Sequence, residues 1–197
     1  MTIERIIVGI SGASGAALGV RIIERLAALP DIEIHLVVSD PARRTLALEC
    51  GIDTIESLTP LVHHHHPIGD IGASIASGSF PVRGMIVAPC SMQTLSAITT
   101  SRADTLLTRA ADVQLKERRR LVLLARETPL HLGHLRAMVA ASEMGAIIMP
   151  PVPAFYHCPG SVADIVDHLA ARAIDLLGIP IDPLARAWTG SDAANSR

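Results

Sequence analysis

The segment Gly12-Ala13-Ser14-Gly15 has the residue types and spacing with which a chain can hold a phosphate group. It follows an apolar run and precedes a pattern typical of a helix. Glycines there would let the backbone approach an anion, which free N–H groups and the helix dipole attract. The spacing matches neither GxGxxG nor GxxxxGK[ST], so it does not indicate a dinucleotide or ATP site. A tight strand-to-helix turn needs the same glycines, so the segment alone leaves both interpretations open.

A row of charges on one predicted helix could bind a second phosphate. A period of 3.6 residues over Arg109–Arg120 places four charges on one face: Arg109, Asp112, Lys116 and Arg120. Lys116 is the only lysine of the chain, and a compact ammonium binds phosphate as a point charge that a planar guanidinium does not reproduce. A solvated face with an Asp112–Lys116 pair explains the same pattern, so two interpretations again remain.

Other polar segments come directly after predicted strands. They are Ser39, Cys90–Thr94 and Arg126-Glu127, and Tyr156 follows a further strand by a few residues. Arg172 interrupts the apolar side of the last helix, where it would form either a salt bridge or a phosphate contact. Because ligands of open α/β sheets bind at the carboxyl ends of the strands, we expect the strand-end segments to converge at one edge of the sheet.

The elements that must position these groups alternate between strand and helix. The predicted strands are Arg5–Ile10, Ile32–Ser39, Gly84–Ala88, Leu121–Ala125 and Ala146–Met149. The predicted helices are Ala16–Leu29, Pro41–Cys50, one from about Thr94, Arg109–Arg120, Leu132–Met144 and Ser161–Leu177, the last with Ser161 as N-cap and Gly178 as stop. This alternation predicts an α/β fold with a doubly wound parallel sheet. We expect one domain over 1–189, a looser region over 51–82 and a disordered tail over 190–197.

Composition excludes several classes of function. The net charge is −2 without a basic stripe, which argues against nucleic acid as a partner. No apolar run has the length of a membrane span, and three cysteines without ligand spacing indicate a reduced, cytoplasmic protein. Hydrophobic residues make up 49% of the chain, more than most small monomers contain, so we expect a homo-oligomer.

The run His63–His66 suggests a metal site at first sight. Consecutive histidines in a strand or loop point in different directions, however, and no carboxylate or cysteine lies at ligand spacing in the sequence. We therefore expect no metal site.

Six stretches of the chain resemble the UbiX-like flavin prenyltransferase family. They spread over about 150 residues and occur in the order of the family: GISGASGAALG (9–19), IASGSF (75–80), PCSMQTL (89–95), RAADVQLKERR (109–119), RETPLHLGHL (126–135) and PPVPAFYH (150–157). The resemblance implies a flavodoxin-like, Rossmann-like three-layer fold and a homo-oligomer, typically a dodecamer, with sites at subunit boundaries. It also implies a role in making prenylated FMN for a UbiD-type decarboxylase, as in ubiquinone biosynthesis.

The same resemblance implies roles for individual residues. FMN contacts would come from Gly12, Ala13, Ser14, Ser39, Ser91, Met92, Gln93, Thr94 and Arg126. Dimethylallyl phosphate would be held by Lys116, Tyr156 and Arg172. Catalytic positions would be Glu127, Lys116, Arg109, Glu49 and Ser14, with the prenyl group joined to N5 and then C6 of reduced FMN and no metal required. Cationic side chains would stabilise the departing phosphate, and Glu127 would donate a proton to it.

Two features depart from the family pattern, and two other functions compete. Ser101 stands where the family usually has glycine and Thr105 where asparagine is common, so the loop before Arg109 is expected to differ in shape. A flavin-dependent cysteine decarboxylase of the same superfamily would carry a PxMNxxMW-like segment, but residues 150–156 lack it. A passive FMN carrier would need the Gly12–Gly15 loop but none of the phosphate-binding cluster. The sequence does not distinguish a monophosphate from a diphosphate donor.

Overall fold

Six parallel strands form one sheet in the order β3-β2-β1-β4-β5-β6. The computed structural model describes residues 3–188 and 190, so most of the predicted tail, 191–197, lies outside the described residues. The strands are β1 (Glu4–Ile10), β2 (Ile32–Val38), β3 (His64–His66), β4 (Gly84–Cys90), β5 (Arg120–Ala125) and β6 (Ile147–Ile148). The predicted doubly wound parallel sheet is confirmed.

Six α-helices cover the two faces of the sheet. They are α1 (Ala16–Ala27), α2 (Asp40–Cys50), α3 (Met92–Thr99), α4 (Leu106–Lys116), α5 (Leu132–Glu143) and α6 (Val162–Asp175). Apolar residues of α1, α2 and α6 pack on one face, and those of α3, α4 and α5 on the other. Successive strand residues point to opposite faces, so Ile6 belongs to one core and Ile7 to the other. The central strands are buried on both sides, which explains their continuous apolar runs.

The predicted N-cap of α6 is confirmed, and the helix ends at Asp175, two residues before the predicted Leu177. The Ser161 hydroxyl accepts a bond from the N–H of Asp164 and so caps the N-terminus. Gly178 has φ of +62°, the left-handed conformation in which glycine ends helices.

The structure corrects the predicted helix Arg109–Arg120. The helix begins at Leu106, because Thr105 caps it and exchanges side-chain hydrogen bonds with Thr108 in a capping box. It ends at Lys116, and Arg120 starts β5 instead of extending the charged row. The guanidinium of Arg120 donates to the carbonyl of Leu176 on the far side of the strand.

The structure also corrects the region 51–82, which contains more order than predicted. Residues 55–61 and 74–76 form 3-10 helices, and His64–His66 pair with β2 as an edge strand. Within the described residues, no helix has the length and apolar character needed to cross a bilayer.

Candidate active site

Ser11 joins the carboxyl ends of the two central strands. It is fully buried; its hydroxyl donates to the carbonyl of Pro89 at 2.9 Å and accepts from the N–H of Ser91 at 2.8 Å. The loop after β1 is therefore fixed to the loop after β4. Sequence reasoning missed this residue, although a serine directly after a buried strand was a usable signal.

The loop Gly12–Gly15 packs so closely on α2 that glycine is required at its first position. A Cβ atom on Gly12 would lie 2.3 Å from the Cβ of Pro41, a distance that real atoms do not reach. Gly15 has φ of +107°, which side chains rarely allow. The tight strand-to-helix turn considered from the sequence is present, and the close approach of Gly12 is to Pro41 of α2.

Glu49 occupies the N-terminus of α1. Its Oε2 atom accepts hydrogen bonds from the N–H groups of Gly15, at 2.9 Å, and Ala16, at 2.8 Å. Negative charge is stabilised at this position by the helix dipole. The structure therefore places a carboxylate of the chain itself where the sequence suggested an anion, and these two N–H groups are already engaged.

The carboxyl ends of β1, β2, β4 and β5 border a cleft with a volume of about 400 Å³. Seven residues expected to act in the site line it: Gly12, Ser39, Ser91, Met92, Gln93, Thr94 and Glu127. Polar residues that the sequence analysis missed also line it: Asp40, Arg102, Asp104, Thr105 and Thr108. Ala13 and Arg126 adjoin lining residues in the chain, Ser14 follows Ala13, and none of the three lines the cleft itself. The expected convergence at one edge of the sheet therefore holds for most of the flavin set.

Hydrogen-bonding groups in this cleft are left free for a ligand. The first turn of α3 leaves the N–H groups of Met92 and Gln93 without intrahelical partners, while the Ser91 hydroxyl caps Thr94. The hydroxyl of Ser39 is buried and has no hydrogen-bond partner in the part of the chain that the structure describes. Burial raises the pKa of the neighbouring Cys90 thiol to about 12, so this cysteine stays protonated and unreactive.

The charged groups on α4 pair differently from the prediction. Arg109 Nη1 binds Asp112 Oδ2 at 2.8 Å, and Lys116 Nζ binds Glu117 instead of Asp112. The Asp112–Lys116 pair, one of the two interpretations left open by the sequence, does not form, because the (i, i+3) contact with Arg109 takes the Asp112 carboxylate. The Lys116 side chain is 46% exposed and lines neither this cleft nor the one described next.

Lys116 lies against the loop that carries the IASGSF motif. A Cβ on Gly78 would come within 2.5 Å of Lys116 Nζ, so the backbone of the loop passes directly beside the ammonium. Arg119 holds the loop in place, donating to the carbonyls of Gly78 at 2.6 Å and Phe80 at 2.9 Å.

Tyr156 and Arg172 line a second cleft, of about 530 Å³, together with His168 and Trp188. None of the residues that line it lines the first cleft. One chain thus brings the flavin set together and leaves the phosphate set in separate places.

Large apolar side chains are exposed around these groups. On α5, Leu132, Leu135 and Val139 are 59%, 46% and 57% exposed, and Phe155 near the second cleft is 69% exposed. Leu132, Leu135 and Val139 lie three and four residues apart and so share one face of α5, and an exposed apolar face of this kind marks a protein–protein contact surface.

Comparison with known proteins places the whole chain in one group. The model of the Flavoprotein family matches residues 1–173. The flavin prenyltransferase UbiX of Escherichia coli K12 is 55% identical over 190 residues, which cover 95% of this chain and 100% of that protein. A crystal structure of AnUbiX (PadA1) in complex with FMN and dimethylallyl pyrophosphate superposes with a TM-score of 0.90 at 45% identity, covering 95% of this chain and 98% of that one.

A dodecameric FMN-dependent Ubix-like decarboxylase from Escherichia coli O157:H7 also reaches a TM-score of 0.90, at 47% identity, covering 95% of this chain and 100% of that one. In contrast, the FMN-dependent cysteine decarboxylase TvaF has a TM-score of 0.63 and 15% identity, covering 89% of this chain and 99% of that one, and so shares only the fold.

Proposed function

The chain belongs to the Flavoprotein family and, within it, to the UbiX-type flavin prenyltransferases, and we propose that it joins a dimethylallyl group to reduced FMN. The single observation that carries this function is the cleft at the strand ends where Gly12, Ser39, Ser91–Thr94 and Glu127 meet. A passive carrier would need the flavin-binding residues of this cleft but not the carboxylate of Glu127 beside them. The low identity to cysteine decarboxylases gives the other alternative less support.

The residues present in the cleft fit a flavin mononucleotide. The N-terminus of α3, with the free N–H groups of Met92 and Gln93, suits its one phosphate. The unpartnered Ser39 hydroxyl offers a further hydrogen bond to the cofactor. The absent side chain of Gly12 lets the backbone lie flat against α2 and keeps the cleft open. We expect Ala13, Ser14 and Arg126 to complete the flavin contacts from its rim.

The charged residues would act on the leaving group of the prenyl donor. When the allylic C–O bond breaks, both electrons remain with the phosphate oxygen, so negative charge grows there. Lys116, Arg109 and Arg172 would stabilise this charge, and Tyr156 would donate a hydrogen bond to the phosphate. Glu127, which lines the flavin cleft, would deliver the proton. Reduced flavin supplies the nucleophilic N5 and C6 positions, and the protein residues hold and shield it.

We infer that the complete site forms between subunits. Within one chain, Lys116 and the Tyr156–Arg172 cleft lie apart from the flavin cleft. Exposed Leu132, Val139 and Phe155 provide apolar surface that an oligomer would cover. A dodecamer, as in the similar protein from Escherichia coli O157:H7, accounts for both observations.

The donor, the recipient and the cell compartment follow from the same proposal. We propose a dimethylallyl phosphate ester as donor. The cationic residues named above suit a monophosphate, and AnUbiX binds the diphosphate. The product would pass to a UbiD-type decarboxylase, as in ubiquinone biosynthesis, and the reaction would take place in the cytoplasm in a single flavin-binding domain over 1–189.

Mass analysis of the bound flavin tests this function. We would incubate the protein anaerobically with reduced FMN and dimethylallyl phosphate, in parallel with the diphosphate, and with a chelator present throughout. A flavin heavier by one C5H8 unit is expected. The chelator should not prevent its formation, because no metal takes part in the proposed phosphate stabilisation. Bound but unmodified FMN with both donors would identify a carrier instead. FAD should bind poorly, because the loop lacks the spacing for a second phosphate.

A further inference from the structure

A cluster of one carboxylate and three imidazoles lies at the edge of the sheet, on the β2 and β3 strands. Glu33 and His35 come from β2, and His64 and His66 from β3. His35 is 1% exposed, and its ring stacks on those of His64 and His66. No carboxylate lies at ligand spacing in the sequence, but strand pairing brings Glu33 to the histidines from 31 residues before His64.

Hydrogen bonding explains only part of this cluster. His35 Nε2 lies 3.0 Å from Glu33 Oε1, and His35 Nδ1 lies 2.9 Å from His66 Nε2, both within hydrogen-bond distance. His64 Nε2 lies 3.5 Å from the same Glu33 oxygen and forms no hydrogen bond with it. The imidazole of His64 therefore lies in the cluster without a hydrogen bond to the Glu33 carboxylate that it faces.

Two of the three separations between the ligand atoms are close to those of a tetrahedral metal site. Four ligands at 2.0–2.1 Å from zinc stand about 3.3 Å from one another. The two distances to Glu33 Oε1, 3.0 and 3.5 Å, lie on either side of that value. All three residues offer ligand atoms within 4.8 Å of one another, and no other such group of three exists among residues 3–188 and 190. The His64 side chain is 54% exposed, so its ring can turn toward an ion that approaches from solvent.

Outer contacts also suit an ion at this position. With zinc on Nε2, His35 would hold its proton on Nδ1 and donate it to His66, the kind of second bond that orients metal-binding imidazoles. Arg5 Nε binds the other oxygen of Glu33, Oε2, at 3.0 Å, and Oε1 faces the imidazoles of His35 and His64. The Arg5 charge opposes a divalent cation and so sets the affinity below that of a closed structural site.

We propose that Glu33, His35 and His64 bind one Zn²⁺ ion per chain, with water at the fourth position. None of the three residues lines the flavin cleft, so this site is separate from the proposed prenyl transfer and does not depend on it. The ion would join β3, an edge strand of only three residues, to β2. Its effect is therefore on the stability of the sheet edge.

Titration with Zn²⁺ tests the proposal. We would purify the full chain without an affinity tag, strip it with chelator and measure Zn²⁺ binding by calorimetry together with the melting temperature. One ion per chain and a rise of several degrees are expected, because an ion that binds only the folded state stabilises it.

Two variants distinguish this site from general binding to histidines. His64→Ala should weaken Zn²⁺ binding at least about tenfold and remove the rise in melting temperature. The loss of a residue that only hydrogen-bonds to a metal ligand already weakens metal binding about tenfold or more, and His64 would be a ligand itself. His65→Ala is the matched control: the adjacent histidine of the same strand lies outside the group of three, and this variant should bind as the parent does. Equal loss in both variants, or no binding in the parent, would overturn the proposal. If the flavin adduct forms normally while Zn²⁺ binding fails, only the zinc proposal is excluded and the proposed prenyltransferase function is unaffected.

Discussion

Glu49 accepts a hydrogen bond of 2.9 Å from the N–H of Gly15, although 34 residues separate the two in the chain. A second bond, from Ala16 at 2.8 Å, ends on the same carboxylate oxygen. The end of α2 is therefore bound to the loop Gly12–Gly15 at the start of α1. Expected from the resemblance as a catalytic residue, Glu49 also has a definite structural contact, and the two roles can be separated by mutation.

Replacing Glu49 should loosen this loop. Glu49→Ala is expected to lower the free energy of unfolding by about 1 kcal/mol, because it removes a charged acceptor at a helix N-terminus. It should also weaken FMN binding. Glu49→Gln keeps an acceptor oxygen and should retain most of the stability. Melting temperature and flavin titration measure both effects, with the exposed Glu143→Ala on α5 as control. Equal stability of the parent and Glu49→Ala would show that the contact contributes nothing.

Lys116→Ala should separate catalysis from stability. Its one ion pair among the described residues, with Glu117, lies at the surface and is worth less than about 1 kcal/mol. Folding and FMN affinity should therefore stay nearly unchanged. Prenyl transfer should fall about a hundredfold or more, the scale of losing one preorganised charge partner. Lys116→Arg should not restore the full rate, since a planar fork does not replace a point charge.

Arg118→Ala is the control for Lys116, because Arg118 is an exposed cation two residues away without an assigned role. Single-turnover rates and melting temperatures of the three variants decide the matter. A fully active Lys116→Ala protein would end the phosphate-binding role.

Glu127→Gln should keep the flavin and slow the transfer. The Oε1 atom of Glu127 accepts a bond from the N–H of Thr128 at 3.1 Å, and an amide oxygen can accept the same bond. The fold should therefore tolerate the change, while the amide cannot deliver a proton. Rates of adduct formation under anaerobic conditions measure the effect, with Glu143→Gln alongside. If Glu127→Gln reacts at the parent rate, this carboxylate has no part in proton transfer.

Ser101→Gly should stabilise the protein. Ser101 has φ of +53°, a left-handed conformation that costs about 1–2 kcal/mol for a residue with a side chain. Glycine removes this cost but loses about 0.5–1 kcal/mol through the freedom of the unfolded chain. We expect a net gain of about 0.5–1 kcal/mol in urea unfolding. Thr100→Gly, at φ of −102°, should destabilise instead. A loss at position 101 would contradict the argument.

The pair between α1 and α6 should make stability depend on acid. Hydrogen bonds from Arg25 and Arg21 lower the pKa of Asp167 from its usual value of 3.8 to about 2. Because the folded state lowers this pKa, the stabilisation is present above about pH 4 and is lost as the pH falls toward 2. The side chain is 35% exposed, so solvent reduces the contribution to about 1 kcal/mol.

Comparison with Asp167→Asn isolates this contribution. The difference in free energy of unfolding between the parent and the variant should be constant from pH 7 to 5. It should shrink between pH 4 and 2. A difference that is the same at pH 5 and pH 2.5 would exclude an ionic origin.

Local sequence patterns predict much of this fold but not the contacts between distant segments. The apolar run before Gly12 and the helix after Gly15 predict the loop, because both features are local. The edge strand His64–His66 escaped prediction, since histidines have no strong strand preference and only pairing with β2 defines the strand. The start of α4 was placed too late because the capping box of Thr105 and Thr108 was not recognised.

For the site, the strand-end rule brought Ser39 and Ser91–Thr94 together correctly. No local pattern, however, joins Glu49 to Gly15 or Arg119 to the carbonyl of Gly78. Such contacts depend on how whole elements pack. The two departures from the family pattern, Ser101 and Thr105, have local explanations. Serine takes up the left-handed angle at a cost, and threonine caps α4 in the role that asparagine would also perform.

The bond between Ser11 and Pro89 also bears on how the chain acquires its shape during synthesis. The loop after β1 leaves the ribosome early, but the carbonyl that fixes it belongs to the far end of β4. A nascent chain that ends before residue 84 can pair β1 with β2, and β2 with β3, and still lacks that support. Domains fold as units once their sequence has emerged, so flavin capture becomes a late event in the life of each new chain. A chain that retains bound flavin has therefore already paired its central strands.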